Sequence, residues 1–385
     1  MNQQHYRNTL QASLKHIEIE GFRSLRKVSL ELRQLTVMIG ANGAGKSNLV
    51  RFFEMLSWML KPRDLGGFVE KWGGGDDQLF MGAKQTPIMK ASLRIDSSLG
   101  FNDYRFGLAH STARDRLIFV EEAFRYSQHG RGTEASWFEL DGGGGEARLP
   151  EVAGDQQAPE SQRRIASTLV HMLRECATYQ FHDTSDTAPI KLRWDATDQQ
   201  RLRSHGGNLA AVLLYLREHH FKRYALIERQ IRRVLPSFGG FELEPVSGKV
   251  LLQWRSKQGG KVFGAHLTSD GSLRLFCLVT LLSLPDDMLP DIILIDEPEL
   301  GLHPAAITLV AEMTESVSEN HQIILSTQSP YLVDCFDLDD IVVADFDDEG
   351  ATDLRQLDSS DYSEWLKEGF TLSDIWLQNV IGGRP

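Results

Sequence analysis

Residues 40–47 read Gly40-Ala41-Asn42-Gly43-Ala44-Gly45-Lys46-Ser47, the pattern G-x-x-x-x-G-K-S without a mismatch. No other stretch restricts the fold as strongly, because this pattern has a use only at a strand-to-helix turn. Glycines there let successive backbone N–H groups wrap a polyphosphate, and the helix N-terminus adds partial positive charge. Both flanks are present. Leu35-Thr36-Val37-Met38-Ile39 reads as a buried strand, and Leu49 to Leu60 carries apolar residues at helical spacing. In that setting Lys46 reaches the β- and γ-phosphates and Ser47 is placed to ligate Mg²⁺.

A second stretch far downstream fits the same chemistry. Asp291-Ile292-Ile293-Leu294-Ile295-Asp296-Glu297 is an apolar run ending in two acids, the pattern of a strand at the centre of a parallel sheet. Asp296 at the carboxyl end is suited to hold Mg²⁺, directly or through water. Glu297 is suited to polarise an attacking water as general base. Alone, the pair would read as helix-capping acids before Pro298; Lys46 and Ser47 make the catalytic reading the stronger one.

The chain has 385 residues, enough for two or three domains or one large core with insertions. It contains no run of roughly 18 uninterrupted apolar residues, so no membrane span is expected, and the N-terminal residues lack the apolar core of a leader. Cys176, Cys277 and Cys335 are scattered without metal spacing and are expected as small core residues of a reduced, cytoplasmic protein. Charge is uneven. Residues 285–385 carry 23 acidic and 3 basic side chains, net −20, which leaves +8 for residues 1–284 of the total −12. The basic stretch from Arg201 to Arg233 fits a solvated helix face better than a phosphate-binding one, and the acidic total argues against a protein that coats nucleic acid.

The pattern divides into strands, phosphate loop and helix over residues 14–60, and antiparallel strands over 86–140, clearest in the alternation of Lys90 to Asp96. A polar, mobile stretch is expected from Gly142 to about Gln162. Helices are expected over 162–235, broken near 181–185, and alternating strands and helices over 241–385. The domains expected are an N-terminal lobe, 1–161, a helical insertion, 162–240, and a C-terminal lobe, 241–385. No heptad pattern predicts a long coiled-coil arm.

Four further segments decide the kind of ATPase. Glu18-Ile19-Glu20-Gly21-Phe22-Arg23-Ser24-Leu25 precedes the phosphate loop; Leu267-Thr268-Ser269-Asp270-Gly271-Ser272-Leu273-Arg274 opens an apolar helix; Glu297-Pro298-Glu299-Leu300-Gly301-Leu302-His303-Pro304 follows the second motif; Ile323-Ile324-Leu325-Ser326-Thr327-Gln328-Ser329 closes the series. In this order they resemble the opening strand, signature motif, D-loop and switch strand of the ATP-binding-cassette superfamily, in its soluble SMC/RecF/OLD-like branch. The resemblance implies an α/β fold: an ATPase head with a mixed central sheet, an antiparallel β subdomain and a helical insertion. It implies ATP and Mg²⁺ as cofactors, with Gly40, Asn42, Gly43, Gly45, Lys46, Ser47, Asn48 and Arg23 binding nucleotide, Ser47 and Asp296 on the metal, and Glu297, Lys46 and Gln328 in catalysis. It also implies a site completed in trans by Ser269 and Gly271 of an opposing subunit, so that ATP joins subunits of a homodimer or higher oligomer and hydrolysis releases them. The switch position is often His in the superfamily; Gln328 can donate a hydrogen bond to a γ-phosphate but cannot titrate near neutral pH.

Phe181-His182-Asp183-Thr184-Ser185, Ser326-Thr327-Gln328-Ser329 and the terminal Gly382-Gly383-Arg384-Pro385 look like a bacterial group of AAA_21/RecF-like ATPases that resembles the ATPase half of OLD-family nucleases. That likeness implies an ATPase switch in phage defence or genome surveillance, working with a separate effector such as a Toprim-like nuclease. His182 and Asp183 also fit a catalytic pair, but no nucleophile or metal cluster accompanies them. After Gln328 a strand pair and a helix are expected, too short for a nuclease domain, with Asp345, Asp347, Asp348 and Glu349 in a hairpin turn. A RecF-like ATPase that binds DNA directly, a scaffold that binds ATP with little turnover, and a transporter's cassette subunit stay open.

Overall fold

The computed structural model describes residues 12–61, 63–130 and 134–384. Residues 1–11, where no leader core is read, and Pro385 lie outside them. The chain forms two compact units: Met1–Ala177 with Leu338–Gly369 and Ile375–Pro385, and Thr178–Asp337 with Phe370–Asp374.

The first unit holds a six-stranded antiparallel sheet, in the order Leu25–Glu31, Ser13–Phe22, Ile88–Ser97, Gly100–Ser111, Arg116–Gln128, Phe138–Leu140. Its register is set by one row of opposed side chains that crosses every strand: Leu30, Ile17, Leu93, Tyr104, Phe124 and Phe138. All but Phe138 are buried. A slip by one residue would turn this row to the opposite face. The alternation read in Lys90 to Asp96 is the alternation of burial along this strand.

The same unit contains a mixed group of strands. Leu35–Ile39, buried at every position, runs parallel to Ile341–Phe346, which pairs antiparallel with Thr352–Gln356. The helix Lys46–Leu60 follows the phosphate loop and packs Phe52 edge-on against Phe22, with ring centroids 5.7 Å apart. The stretch from Gly142 to Gln162 differs from the polar, mobile segment expected: Leu149–Gly154 and the start of Glu160–Arg174 are helical. A buried carboxylate explains the difference. Glu122 accepts the N–H groups of Arg148 and Leu149, and Leu149 is fully buried beside it.

The second unit contains the helices Leu209–His219 and Phe221–Val234 and a three-stranded antiparallel sheet of Phe238–Phe241, Gln253–Ser256 and Val262–Gly264. Phe238, Phe241 and Trp254 from this sheet surround Phe276 of the helix Asp270–Leu281. The strands Ile292–Asp296 and Gln322–Ser326 are parallel, linked through the helix Pro304–Ser318, and their register places Asp296 opposite Ser326. The fold is therefore mixed α/β, with an antiparallel sheet and mixed strand pairing, as the sequence leads one to expect. Cys176 and Cys277 are buried and unpaired as disulfides, and no helix among the described residues is long and apolar enough to cross a membrane.

Candidate nucleotide site

In the first unit the strand Leu35–Ile39 ends directly at Gly40, and the loop turns through three glycines with positive φ, Gly40, Gly43 and Gly45. Gly45 is the N-cap of the helix Lys46–Leu60. No side chain caps this end, and its first turn has no acid. The orphan N–H groups there suit an anion. Lys46 is buried and donates to the carbonyls of Gly40, at 2.6 Å, and Ala41, at 2.9 Å, which holds its amine over the loop. Asn42, Gly43 and Ser47 are exposed.

Side chains from distant segments brace this loop. Asn48 donates to Ser24 Oγ at 2.7 Å, and Ser24 Oγ lies 2.6 Å from Thr352 Oγ1. Thr352 fills the space beside Gly45, so that a Cβ on Gly45 would lie 1.8 Å from its Oγ1. On the other side, a Cβ on Gly40 would meet the carbonyl oxygen of Ala344 at 2.2 Å, and Gly383 approaches the same carbonyl and Gly40 itself. The tail is fixed there by Trp376, which donates to the Gly383 carbonyl, and by Asp345, which accepts the Gly383 N–H. Arg23 sits at a positive-φ turn and donates to Gln78 Oε1 and the Trp72 carbonyl. Burial, then the nearby Arg51, lowers its pKa.

In the second unit the strand Ile292–Asp296 delivers its acids at its carboxyl end. Asp296 Oδ2 accepts from Gln180 Nε2 at 2.7 Å, while Oδ1 is buried and has no hydrogen-bond partner. Such an orphan oxygen is costly unless something else satisfies it, and a hard cation is a fitting partner for a carboxylate oxygen. Glu297 follows at φ 47°, a conformation non-glycine residues rarely adopt. Its Oε1 accepts from Gln328 Nε2, and its Oε2 lies 3.9 Å from His182 Nε2, which donates to the Asp296 carbonyl at 3.1 Å. Glu299, third in the series, accepts from Thr327 Oγ1 and the Gln328 N–H. Burial pushes its pKa up.

The segment read as a signature motif caps its helix as written. Ser269 is the N-cap of Asp270–Leu281, with its Oγ accepting from Ser272 N. Gly271 sits so close to the turn after Glu299 that a Cβ would lie 2.3 Å from the Gly301 carbonyl. One turn on, Arg274 donates to the carbonyls of Phe181, His182 and Leu300 at 3.0–3.2 Å. The start of this helix is thus tied both to the His182 loop and to the turn that follows Glu297.

In the first unit residues 40–48 adjoin Ser24 and Thr352, while Arg23 is turned to Gln78 and Trp72; in the second, Gln328 meets Glu297 next to Asp296, and Ser269 and Gly271 lie at the start of the helix Asp270–Leu281. Sequence alone does not assign Gln180 and His182 to the Asp296–Glu297 pair. Their only signal is a polar pair after the short strand Cys176–Tyr179. Asp183 turns away to accept from Ser185 rather than pairing with His182. Asp347 accepts the N–H groups of Glu349 and Ala351 within a hairpin turn and pairs with Arg26. Among the described residues no group of three or more His, Cys, Asp and Glu side chains is placed to hold a metal.

The profile of the AAA_21 family, described as "AAA domain, putative AbiEii toxin, Type IV TA system", matches residues 35–334. A curated relative, the chromosome partition protein Smc of Mycoplasma genitalium, is 33% identical over 90 residues, 22% of this chain and only 9% of the relative's length. Two solved structures share the fold. An Smc head bound to the C-winged helix domain of ScpA has a TM-score of 0.56 at 14% identity, covering 91% of this chain and 99% of that one. An Smc head with an extended coiled coil bound to the C-terminal domain of ScpA, derived from Pyrococcus furiosus, has a TM-score of 0.55 at 14% identity, covering 93% and 99%.

Proposed function

This chain belongs to the AAA_21 family, and from that premise we propose that it is an ABC-superfamily ATPase of the SMC/RecF-like kind and a Mg²⁺-dependent ATP hydrolase. We propose further that ATP-driven subunit association makes it a switch in a bacterial anti-phage defence or genome-surveillance complex, acting on a separate effector in the cytoplasm. The observation that carries the hydrolase reading is the Asp296–Glu297 pair: one buried carboxylate oxygen left without a partner, beside a carboxylate held by an amide and facing an imidazole.

The roles follow from the chemistry of each group. The N–H groups of Gly43 and Gly45 and the helix N-terminus receive the β- and γ-phosphates. Asn42 and Asn48 shape the loop, Lys46 neutralises the phosphates, and Arg23 supports the preceding turn. Ser47 and Asp296 would hold Mg²⁺, which supplies charge neutralisation on the phosphate oxygens when bound. Glu297 takes the proton of the attacking water, and Gln328 fixes the carboxylate and offers an N–H toward the γ-phosphate. Ser269 and Gly271 of an opposing subunit complete the site in trans. The Smc heads named above were solved with ScpA domains, which supports the idea that a head of this fold hands its nucleotide state to a protein partner.

The test is steady-state ATP hydrolysis by the purified chain with and without Mg²⁺. Parent protein should turn over only with the metal, and Lys46→Ala should lose nucleotide binding. Incubated alone with DNA, RNA and ATP, the chain should cut neither. Metal-dependent cleavage abolished by substituting Asp345 and Asp347 would show that this hairpin is a nuclease site, and the separate-effector reading would fall. A RecF-like role would instead show as strong, salt-dependent DNA binding by the isolated chain.

A further inference from the structure

The Asp296–Glu297 pair has two neighbours that none of these roles uses, Gln180 and His182. Both follow the short strand Cys176–Tyr179, and the residue between them explains their direction. Phe181 is buried and packs against Tyr179, with ring centroids 6.0 Å apart. The residues on either side of it both bond to Asp296, Gln180 at Oδ2 and His182 at the backbone carbonyl. An apolar anchor flanked by two polar residues is the alternating pattern of an extended segment with one face in the core. The backbone is fixed as well. The Gln180 N–H donates to the Ser204 carbonyl at 3.0 Å, and the carbonyls of Phe181 and His182 accept from Arg274. Gln180 therefore reaches Asp296 from a main chain that is held on both sides.

The chemistry of this contact separates orientation from charge. An ionised carboxylate can only accept, so the amide nitrogen faces Asp296, and at 2.7 Å the bond is of the short, charge-assisted kind. A Lys or Arg at position 180 would also hold the carboxylate, but it would set a positive charge against it and compete with a metal ion. The neutral amide fixes the carboxylate and leaves its charge for a cation. Partners that orient a metal-ligating carboxylate in this way govern metal affinity, with losses of about 10–100-fold when they are removed. His182 has a different target. It bonds the carbonyl of Asp296, which fixes the main chain between the two acids and not the carboxylate.

We propose that Gln180 is a positioning residue for metal binding: its amide holds the Asp296 carboxylate in the orientation that receives Mg²⁺. The inference rests on the Mg²⁺-dependent ATP hydrolase reading above. The test uses the full-length protein, Mn²⁺ as the metal, and an ATP analogue with a non-hydrolysable imido bridge between the β- and γ-phosphates. Its affinity is measured by calorimetry with Mn²⁺ and again with EDTA. Gln180→Met keeps the length of the side chain and removes the N–H. Gln180→Asn keeps the amide but draws it back from Asp296, and it serves if the Met variant folds poorly. Each should weaken binding of the Mn²⁺ complex by about tenfold or more and leave metal-free binding at the parental value. Asp296→Asn should show the same split. Gln180→Met combined with Asp296→Asn should lose no more than Asp296→Asn alone, because Gln180 acts through that carboxylate. Equal losses with and without metal would assign Gln180 to the fold alone and overturn the proposal. Parental affinity for the Mn²⁺ complex in both Gln180 variants, or losses that add in the double variant, would overturn it as well. A parent protein that binds the analogue alike with Mn²⁺ and with EDTA would sink the Mg²⁺-dependent reading itself, and this inference with it.

Discussion

Gly45→Ala is the substitution whose cost the structure specifies most fully. Gly45 has a φ of 95°, and its new Cβ would sit 1.8 Å from Thr352 Oγ1 and 2.8 Å from Thr352 Cβ and Cγ2. Thr352 cannot move aside cheaply. It is β-branched, 3% exposed, and bonded through Oγ1 to Ser24. The left-handed backbone costs ~1–2 kcal/mol for a residue with a Cβ, and losing the Ser24–Thr352 bond adds ~0.5–1.5 kcal/mol. The variant should lose about 2–3 kcal/mol in urea unfolding and bind ATP about tenfold or more weakly, since ~1.4 kcal/mol of loop distortion is tenfold in affinity. Thr352→Gly in the same background should return about 1 kcal/mol of the stability loss and leave the backbone part, read as a coupling energy in a double-mutant cycle. A Gly45→Ala protein with parental stability and parental ATP affinity would refute this reasoning. A coupling energy of zero would refute the Thr352 contact specifically.

Arg274→Ala removes three bonds to carbonyls of two segments and should lower kcat more than ATP affinity; Arg274→Lys, with one point charge in place of a planar fork, should recover only part, and equal losses in both terms would count against a positioning role. Glu299 is held above its ordinary carboxylate range by burial, so its contribution to stability is fully present below its ordinary value near 4.5 and is lost as pH rises through the raised folded value; unfolding measured from pH 4 upward should show that decline in the parent and a flatter profile in Glu299→Gln, and identical profiles would exclude it. Mixing Lys46→Ala protein with Ser269→Arg protein should restore partial ATPase activity through one intact composite site, whereas no rescue in mixtures that exchange subunits would argue for a site built within one chain.

What sequence makes legible here is what is contiguous. The phosphate loop, the acids Asp296 and Glu297, and the Ser269 cap are each set by a few neighbouring residues, so the local rules for turns, strand ends and N-caps read them directly. The braces around them are not contiguous. Gln180 meets Asp296 across 116 positions, and Ser24 meets Thr352 across 328. Neither residue type nor spacing announces such a pairing. Gly383 looks like an ordinary glycine until its carbonyl is found accepting from Trp376 and a Cβ on it would lie 3.5 Å from the α-carbon of Gly40. The Gly142–Gln162 stretch departs from a mobile segment for the same reason: its anchor, Glu122, lies on a strand of the antiparallel sheet, and composition cannot connect the two.

The central claim, that this chain hydrolyses ATP with Glu297 as general base, is tested most directly by single-turnover hydrolysis in Glu297→Gln with ATP binding measured on the same preparation. The substituted amide keeps the size of the side chain and an oxygen that can accept from Gln328, but it cannot take a proton. ATP should bind with near-parental affinity while hydrolysis slows by about 10²–10⁴-fold, the range for loss of a general base. Hydrolysis at the parental rate in that variant would contradict the account.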